Sequence, residues 1–344
     1  MSTKTLFRIS LPVISMLVFA FALHGQIPTL KEYHNLHENG IKTGGVRMIT
    51  ISTPSGNFKV WTKQVGNNPG IKVLLLHGGP GCSHEYLECF DSFFPQEGIE
   101  YYYYDQLGSF YSDKPNDTSL WHLDRFVDEV EQVRKALGLN KNNFYLFGHS
   151  WGGILALEYA LKYQKNLKGL IISNMMCSIP EYNKYAVNVL AKQLPPDVLA
   201  EIEKYENNKD YGNPEYTALL EKYFYPEHLM RLKEYPEPAS RGYNNCNVTV
   251  YTLMQGPSEF KGSGRLINWD RSKDLPRIVV PTLIIGAKYD TMDPQYMKWM
   301  STQVQNGSYL YCPNGSHSAM YDDQEVYFAG LIDFIKKVNS LSER

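Results

Sequence analysis

Along this chain, short apolar runs alternate with longer stretches in which apolar residues recur at helical spacing. Ile71-Lys72-Val73-Leu74-Leu75-Leu76 is almost continuously apolar, as expected of a strand buried on both faces of a parallel sheet. Residues 100–104, 144–147, 170–172, 278–285 and 309–312 have the same character. Between them the period changes. Phe126, Val127, Val130, Val133 and Leu137 fall on one face of a helix that starts near Leu123 and stops at Gly138. Residues 154–163, 296–304 and 324–338 are further helices by the same criterion. Ahead of the alternation, 46–52 and 58–64 form a predicted hairpin that turns at Pro54-Ser55-Gly56-Asn57.

Alternation of this kind predicts an α/β fold with a mostly parallel sheet and helices on both faces. It lapses between about Cys177 and Asp274, where the sequence becomes rich in Pro, Tyr and Glu with helical stretches at 195–205 and 216–232. That segment is the expected helical cap. The predicted organisation is therefore a leader at 1–25, a first core segment at 26–176, the cap at 177–274 and a second core segment at 275–344. No internal repeat is visible.

The leader has its own signature. Lys4 and Arg8 precede an apolar run at 11–23, which at about 1.5 Å per helical residue is too short to cross a bilayer but suits a secretory signal. The competing reading is an uncleaved membrane anchor, against which the short run and Pro12 both speak. Cleavage near Ala22 or Gly25 predicts an exported protein, periplasmic or secreted, with no membrane attachment afterwards. The 34 basic and 36 acidic residues nearly cancel, and no basic run offers a footprint for nucleic acid. Five cysteines (Cys82, Cys89, Cys177, Cys246, Cys312) are scattered without the spacing of a disulfide scaffold or a zinc site. Spacing assigns them no chemistry, and nothing in the sequence sets the number of associating chains.

Candidate chemistry sits at strand ends. Gly148-His149-Ser150-Trp151-Gly152 matches G-x-S-x-G, a weak signal alone but one that here lies between an apolar strand and a helix, as a nucleophile turn requires. A serine hydroxyl needs an imidazole to take its proton, and the imidazole needs a carboxylate to hold its tautomer. In this fold those partners follow the serine, acid before histidine, on loops after late strands. Asp290, after the run ending near Ile285, and His317, after the run ending at Cys312, satisfy that order. Asp293 is the rival acid, while Asp322 and Asp323 read as solvated or N-terminal charges of the last helix. Backbone amides of Trp151 and Gly79 are the expected donors to the oxyanion, Gly79 lying in the loop His77-Gly78-Gly79-Pro80-Gly81.

That loop, Tyr104-Asp105-Gln106-Leu107-Gly108-Ser109, Gly148-His149-Ser150-Trp151-Gly152-Gly153 and Gly256-Pro257-Ser258-Glu259-Phe260 together resemble the proline iminopeptidase (prolyl aminopeptidase) family of α/β-hydrolases over residues 46–338. The resemblance implies a serine exopeptidase that needs no metal or other cofactor and releases an N-terminal residue, often proline, from short peptides with a free N-terminus. It also implies Glu259 as the carboxylate that binds the substrate ammonium, with Glu221 and Glu227 as candidates for a second. One departure is Phe110, which stands where the family usually has a second glycine. Two other readings compete: a carboxylesterase or lactonase using the same triad, and a binding protein that keeps the fold without turnover.

Overall fold

The structure is a computed structural model that describes residues 29–342, so the leader expected at 1–25 lies outside the described residues. An eight-stranded sheet has the order β1-β2-β4-β3-β5-β6-β7-β8. Its strands are β1 (Val46–Thr53), β2 (Gly56–Val65), β3 (Lys72–Leu76), β4 (Glu100–Asp105), β5 (Phe144–His149), β6 (Gly169–Ser173), β7 (Thr282–Ala287) and β8 (Gly307–Cys312). The hairpin β1-β2 adds antiparallel to β4, and from β4 to β8 every pairing is parallel.

The apolar runs behave as two-faced strands. Leu74 and Leu76 of β3, with Phe144 and Leu146 of β5 and Leu170 and Ile172 of β6, enter one core. Their neighbours Val73, Leu75, Tyr145, Phe147 and Ile171 enter the other. Period-two alternation sends successive side chains to opposite faces, so a run with no polar break fills both cores at once. The first core is covered by α1 (Leu123–Ala136), α2 (Trp151–Tyr163) and, further along, α8 (Pro294–Gln303). The second is covered by α9 (Gln324–Ser342) and by a 3-10 helix, His84–Ser92. The latter was absent from the sequence reading because its polar residues His84 and Glu85 are buried beside Tyr86 and Phe90.

Between β6 and β7 the chain leaves the sheet and builds α3 (Ile179–Tyr185), α4 (Pro196–Asn207), α5 (Pro214–Tyr223), α6 (Glu237–Asn244) and α7 (Val248–Met254). Leu190, Val198, Ile202, Leu220, Phe224 and Phe260 pack there into a core of their own. The two ends of this insertion meet. Ser178 bridges to Asp270, the Ile179 amide donates to Trp269 O and the Arg271 amide donates to Cys177 O, at 2.9 and 2.8 Å. Among the described residues no helix is long and apolar enough to cross a membrane.

Candidate active site

The parallel strands deliver their carboxyl ends to one edge of the sheet, the place where open α/β sheets bind ligands. At the end of β5 the chain turns sharply into α2, and Ser150 sits on the turn with φ 56° and ψ −127°. A non-glycine residue adopts such a backbone only under constraint. The constraint is close packing around it. A Cβ at position 148 would lie 2.0 Å from Gly152 O, and one at 152 would lie 2.2 Å from Leu76 O. Gly148 is thus required by contact across the turn itself, and Gly152 by contact with the end of β3.

After β8 the chain carries His317, and after β7 it carries Asp290, both buried. His317 Nδ1 lies 2.8 Å from Asp290 Oδ1. A carboxylate only accepts, so Nδ1 bears the proton and Nε2 of the neutral ring is the basic nitrogen. Burial by itself would lower the His317 pKa, but the charge of Asp290 and its hydrogen bond outweigh that, and the net shift is upward. Asp290 is itself held. Its Oδ2 accepts from Asn174 Nδ2 at 2.8 Å and its Oδ1 from the Met292 amide at 3.1 Å. The rival Asp293 instead caps α8, accepting from the Gln295 amide.

The loop after β3 lies against Ser150: a Cβ at Gly78 would stand 3.0 Å from Ser150 Cβ. The peptide Gly79-Pro80 is cis, and Gly79 has φ 108°. Gly78 donates its amide to Tyr86 Oη at 2.7 Å. Trp151 opens α2, where the first amides have no intrahelical acceptor. Its indole is turned away to donate to Gln106 Oε1 at 2.8 Å, and Gln106 in turn donates to His77 O. That pair ties α2 to the glycine loop.

Ser150, His317 and Gly79 line one cavity of about 280 Å³, and Glu259 stands in its wall together with Tyr225 and Tyr251. Tyr251 donates its hydroxyl to Glu259 Oε1, and Tyr182 donates to the Glu259 carbonyl at 2.5 Å. Cys82 and Cys246 also face the cavity and form a disulfide that joins the glycine loop to the stretch between α6 and α7. Cys89, Cys177 and Cys312 are buried thiols. Among the described residues no group of three His, Cys, Asp or Glu side chains is arranged to hold a metal ion.

A family model described as alpha/beta hydrolase fold matches residues 72–324. The proline iminopeptidase of Flavobacterium johnsoniae is 62% identical over 292 residues, which cover 85% of this chain and 98% of that protein. The proline iminopeptidase of Elizabethkingia meningoseptica is also 62% identical, over 86% of this chain and 99% of its own. The chain belongs to the proline iminopeptidase family. Among solved structures, that of the Mycobacterium smegmatis proline iminopeptidase superposes with a TM-score of 0.76 at 26% identity, covering 86% of this chain and 99% of that one.

In this member of the proline iminopeptidase family, neither candidate for a second ammonium-binding carboxylate lines the cavity. Glu221 and Glu227 are exposed, and Glu227 pairs with Arg231 instead of entering the cavity. Glu259 is the one carboxylate among the described cavity-lining residues. Asp322 and Asp323 are not free charges of the last helix. Asp322 accepts from the Ser316 amide and the Arg231 amide, both at 2.9 Å, and Asp323 accepts from the Asn314 amide at 3.0 Å. They fold the loop that carries His317. Asn174 was also missed, since a lone Asn after a strand has no local mark of its target. The disulfide was missed for a related reason, because its partners lie 164 residues apart.

Proposed function

We propose that the protein is a serine exopeptidase that releases an N-terminal residue, preferentially proline, from short peptides through an acyl-enzyme intermediate. Ser150 Oγ attacks the carbonyl carbon of the first residue while His317 takes its proton, and Asp290 stabilises the imidazolium that forms. The amides of Gly79 and Trp151 receive the negative charge developing on the carbonyl oxygen. Imidazolium then protonates the leaving amine, and a water, deprotonated by the same imidazole, hydrolyses the acyl-serine.

One observation carries this reading: nucleophile and Glu259 share a single small cavity. A free α-ammonium at Glu259 gains a charge-assisted hydrogen bond, and about 280 Å³ is at the small end of ligand pockets, too little for a long peptide on the amino side. Tyrosine faces at the same end suit both a pyrrolidine ring and its cationic nitrogen. An esterase or lactonase would make no use of a carboxylate there. The test is hydrolysis of a proline anilide and of its N-acetylated form. Cleavage of the first, loss of it in Ser150→Ala and failure on the second are expected; equal rates on both would overturn the reading.

Export is the second part of the proposal. The leader at 1–25 is read as a cleaved signal that sends the enzyme to the periplasm or medium, and the Cys82–Cys246 disulfide supports an oxidising destination. N-terminal sequencing of the mature protein from fractionated cells should find it beginning near residue 23 or 26; a cytoplasmic chain retaining Met1 would refute export.

A further inference from the structure

We propose that Tyr86 and His149 are positioning residues that hold the glycine loop, the nucleophile turn and the base loop in register through one continuous chain of hydrogen bonds. The proposal rests on the serine-hydrolase reading above. Tyr86 lies on the 3-10 helix that follows the glycine loop, and His149 directly precedes Ser150. Both are buried and both reach the wall of the catalytic cavity.

Every proton in this chain is assigned by its partners. His149 Nε2 lies 2.8 Å from the main-chain oxygen of His317, which can only accept, so Nε2 carries a hydrogen. A neutral ring then has a lone pair on Nδ1. Tyr86 Oη lies 2.9 Å from that nitrogen and donates to it, while accepting from the Gly78 amide at 2.7 Å. The other neutral tautomer would set Nε2 and a carbonyl oxygen lone pair to lone pair. Burial, reinforced by the neighbouring His317, keeps His149 neutral down to a pKa of about 3, so the arrangement survives across any working pH.

Each link grips a neighbour of a reacting group: Gly78 beside Gly79, His149 beside Ser150, and the peptide oxygen of His317 itself. Tyr86 is braced from the inserted helices as well. A Cβ at Gly242 of α6 would lie 2.7 Å from the Tyr86 amide, and the Tyr243 ring stacks on Tyr86 at 5.9 Å between centroids. Tyr243 Oη is in turn 2.7 Å from Ser318 Oγ, next to the base. A phenylalanine would fill the same space as Tyr86, so the hydroxyl is there for its two polar partners.

The test compares the full chain with Tyr86→Phe, His149→Leu and His149→Gln, whose side-chain amide nitrogen falls where Nε2 stands and can still donate to the His317 oxygen. The readouts are kcat and KM on a proline anilide, the rate at which a fluorophosphonate labels Ser150, and thermal melting. Since displacement of catalytic groups by about 1 Å costs about 100-fold, Tyr86→Phe is expected to lower kcat and labelling by about 10- to 100-fold. KM should change by less than about threefold, as for loss of an interaction that serves the transition state. His149→Gln should recover part of the labelling rate lost in His149→Leu. Should His149→Leu fail to fold, Tyr86→Phe and His149→Gln still decide the matter. Labelling and kcat within about twofold of wild type in folded Tyr86→Phe would overturn the proposal. A wild type that labels at Ser150 yet leaves proline anilides intact would overturn the substrate reading alone, because labelling does not depend on the substrate.

Discussion

In the proposed mechanism His317 must be neutral to take the serine proton, and its pKa is raised because Asp290 outweighs the effect of burial. The neutral fraction grows with pH. Activity measured as kcat/KM should therefore rise along an acid limb whose midpoint lies above the ordinary histidine value of about 6.5. A pH profile with its midpoint below that value would contradict the assignment. Asp290→Asn keeps the shape but removes the charge and offers an amide that can present a donor to Nδ1, favouring the wrong tautomer. Loss of kcat by roughly 10⁴-fold is expected, as in serine hydrolases generally. At the other end of the cavity, Glu259→Gln leaves the hydrogen bond to Tyr251 possible and deletes only the charge. A charged hydrogen bond is worth about 1.5–3 kcal/mol, so kcat/KM on a proline anilide should fall by roughly 10- to 100-fold while reactivity toward a fluorophosphonate stays near wild type.

At the scale of elements, catalytic geometry is a property of strand ends and of what pins the loops leaving them. Asn174, at the end of β6 with φ 53°, donates to Asp290. Asn174→Gly keeps the backbone conformation available and removes the hydrogen bond to Asp290 together with the side chain's bonds to Ser316 O and from Ser173 Oγ. Leaving a buried carboxylate oxygen short of one donor costs about 1–3 kcal/mol, and urea unfolding should register that loss, with kcat down by about tenfold as the acid loosens. The strands themselves were legible in sequence. Runs such as 71–76 and 144–147 announce burial on two faces, and their predicted ends lie within a few residues of the observed ones. The run at 278–285 was the poorest, since β7 begins only at Thr282 and residues 278–281 are irregular chain leading out of the short 3-10 helix Leu275–Arg277. Ser150, Asp290 and His317 could be marked as candidates because each lies in the turn or loop that leaves a strand. Asn174, Asp322 and Tyr86 could not, because their partners lie on other loops and a polar residue carries no local sign of being buried. Phe110, the departure from the family pattern, is 39% exposed. The turn around it still closes, with the Gly108 amide donating to Asp113 O.

For the whole molecule, the inserted helices are fastened to the sheet edge at several points. Besides the Cys82–Cys246 bond, Arg241 of α6 pairs with Glu85 and Glu88 of the 3-10 helix. The His317 amide donates to His228 O, and the His228 ring meets the Tyr289 carbonyl next to Asp290. A disulfide closing a long loop typically contributes about 2–5 kcal/mol. Treatment with a reductant, or Cys82→Ser with Cys246→Ser, should lower stability by that order. It should also lower kcat as well as raise KM, because the bond anchors the glycine loop that carries the Gly79 amide as well as the stretch between α6 and α7. Melting and steady-state kinetics with and without reductant would check this, and an unchanged melt would show that the other fastenings suffice.

All of these helices leave and rejoin the core through the doorway at Cys177–Ser178 and Asp270–Arg271, where the outgoing and returning chains pair side by side. Because entry and exit coincide, the length and sequence of the inserted helices can vary without altering the strand order of the sheet, whereas their contacts with Glu85, Glu88 and the loop of His317 tie any such change to the site beneath.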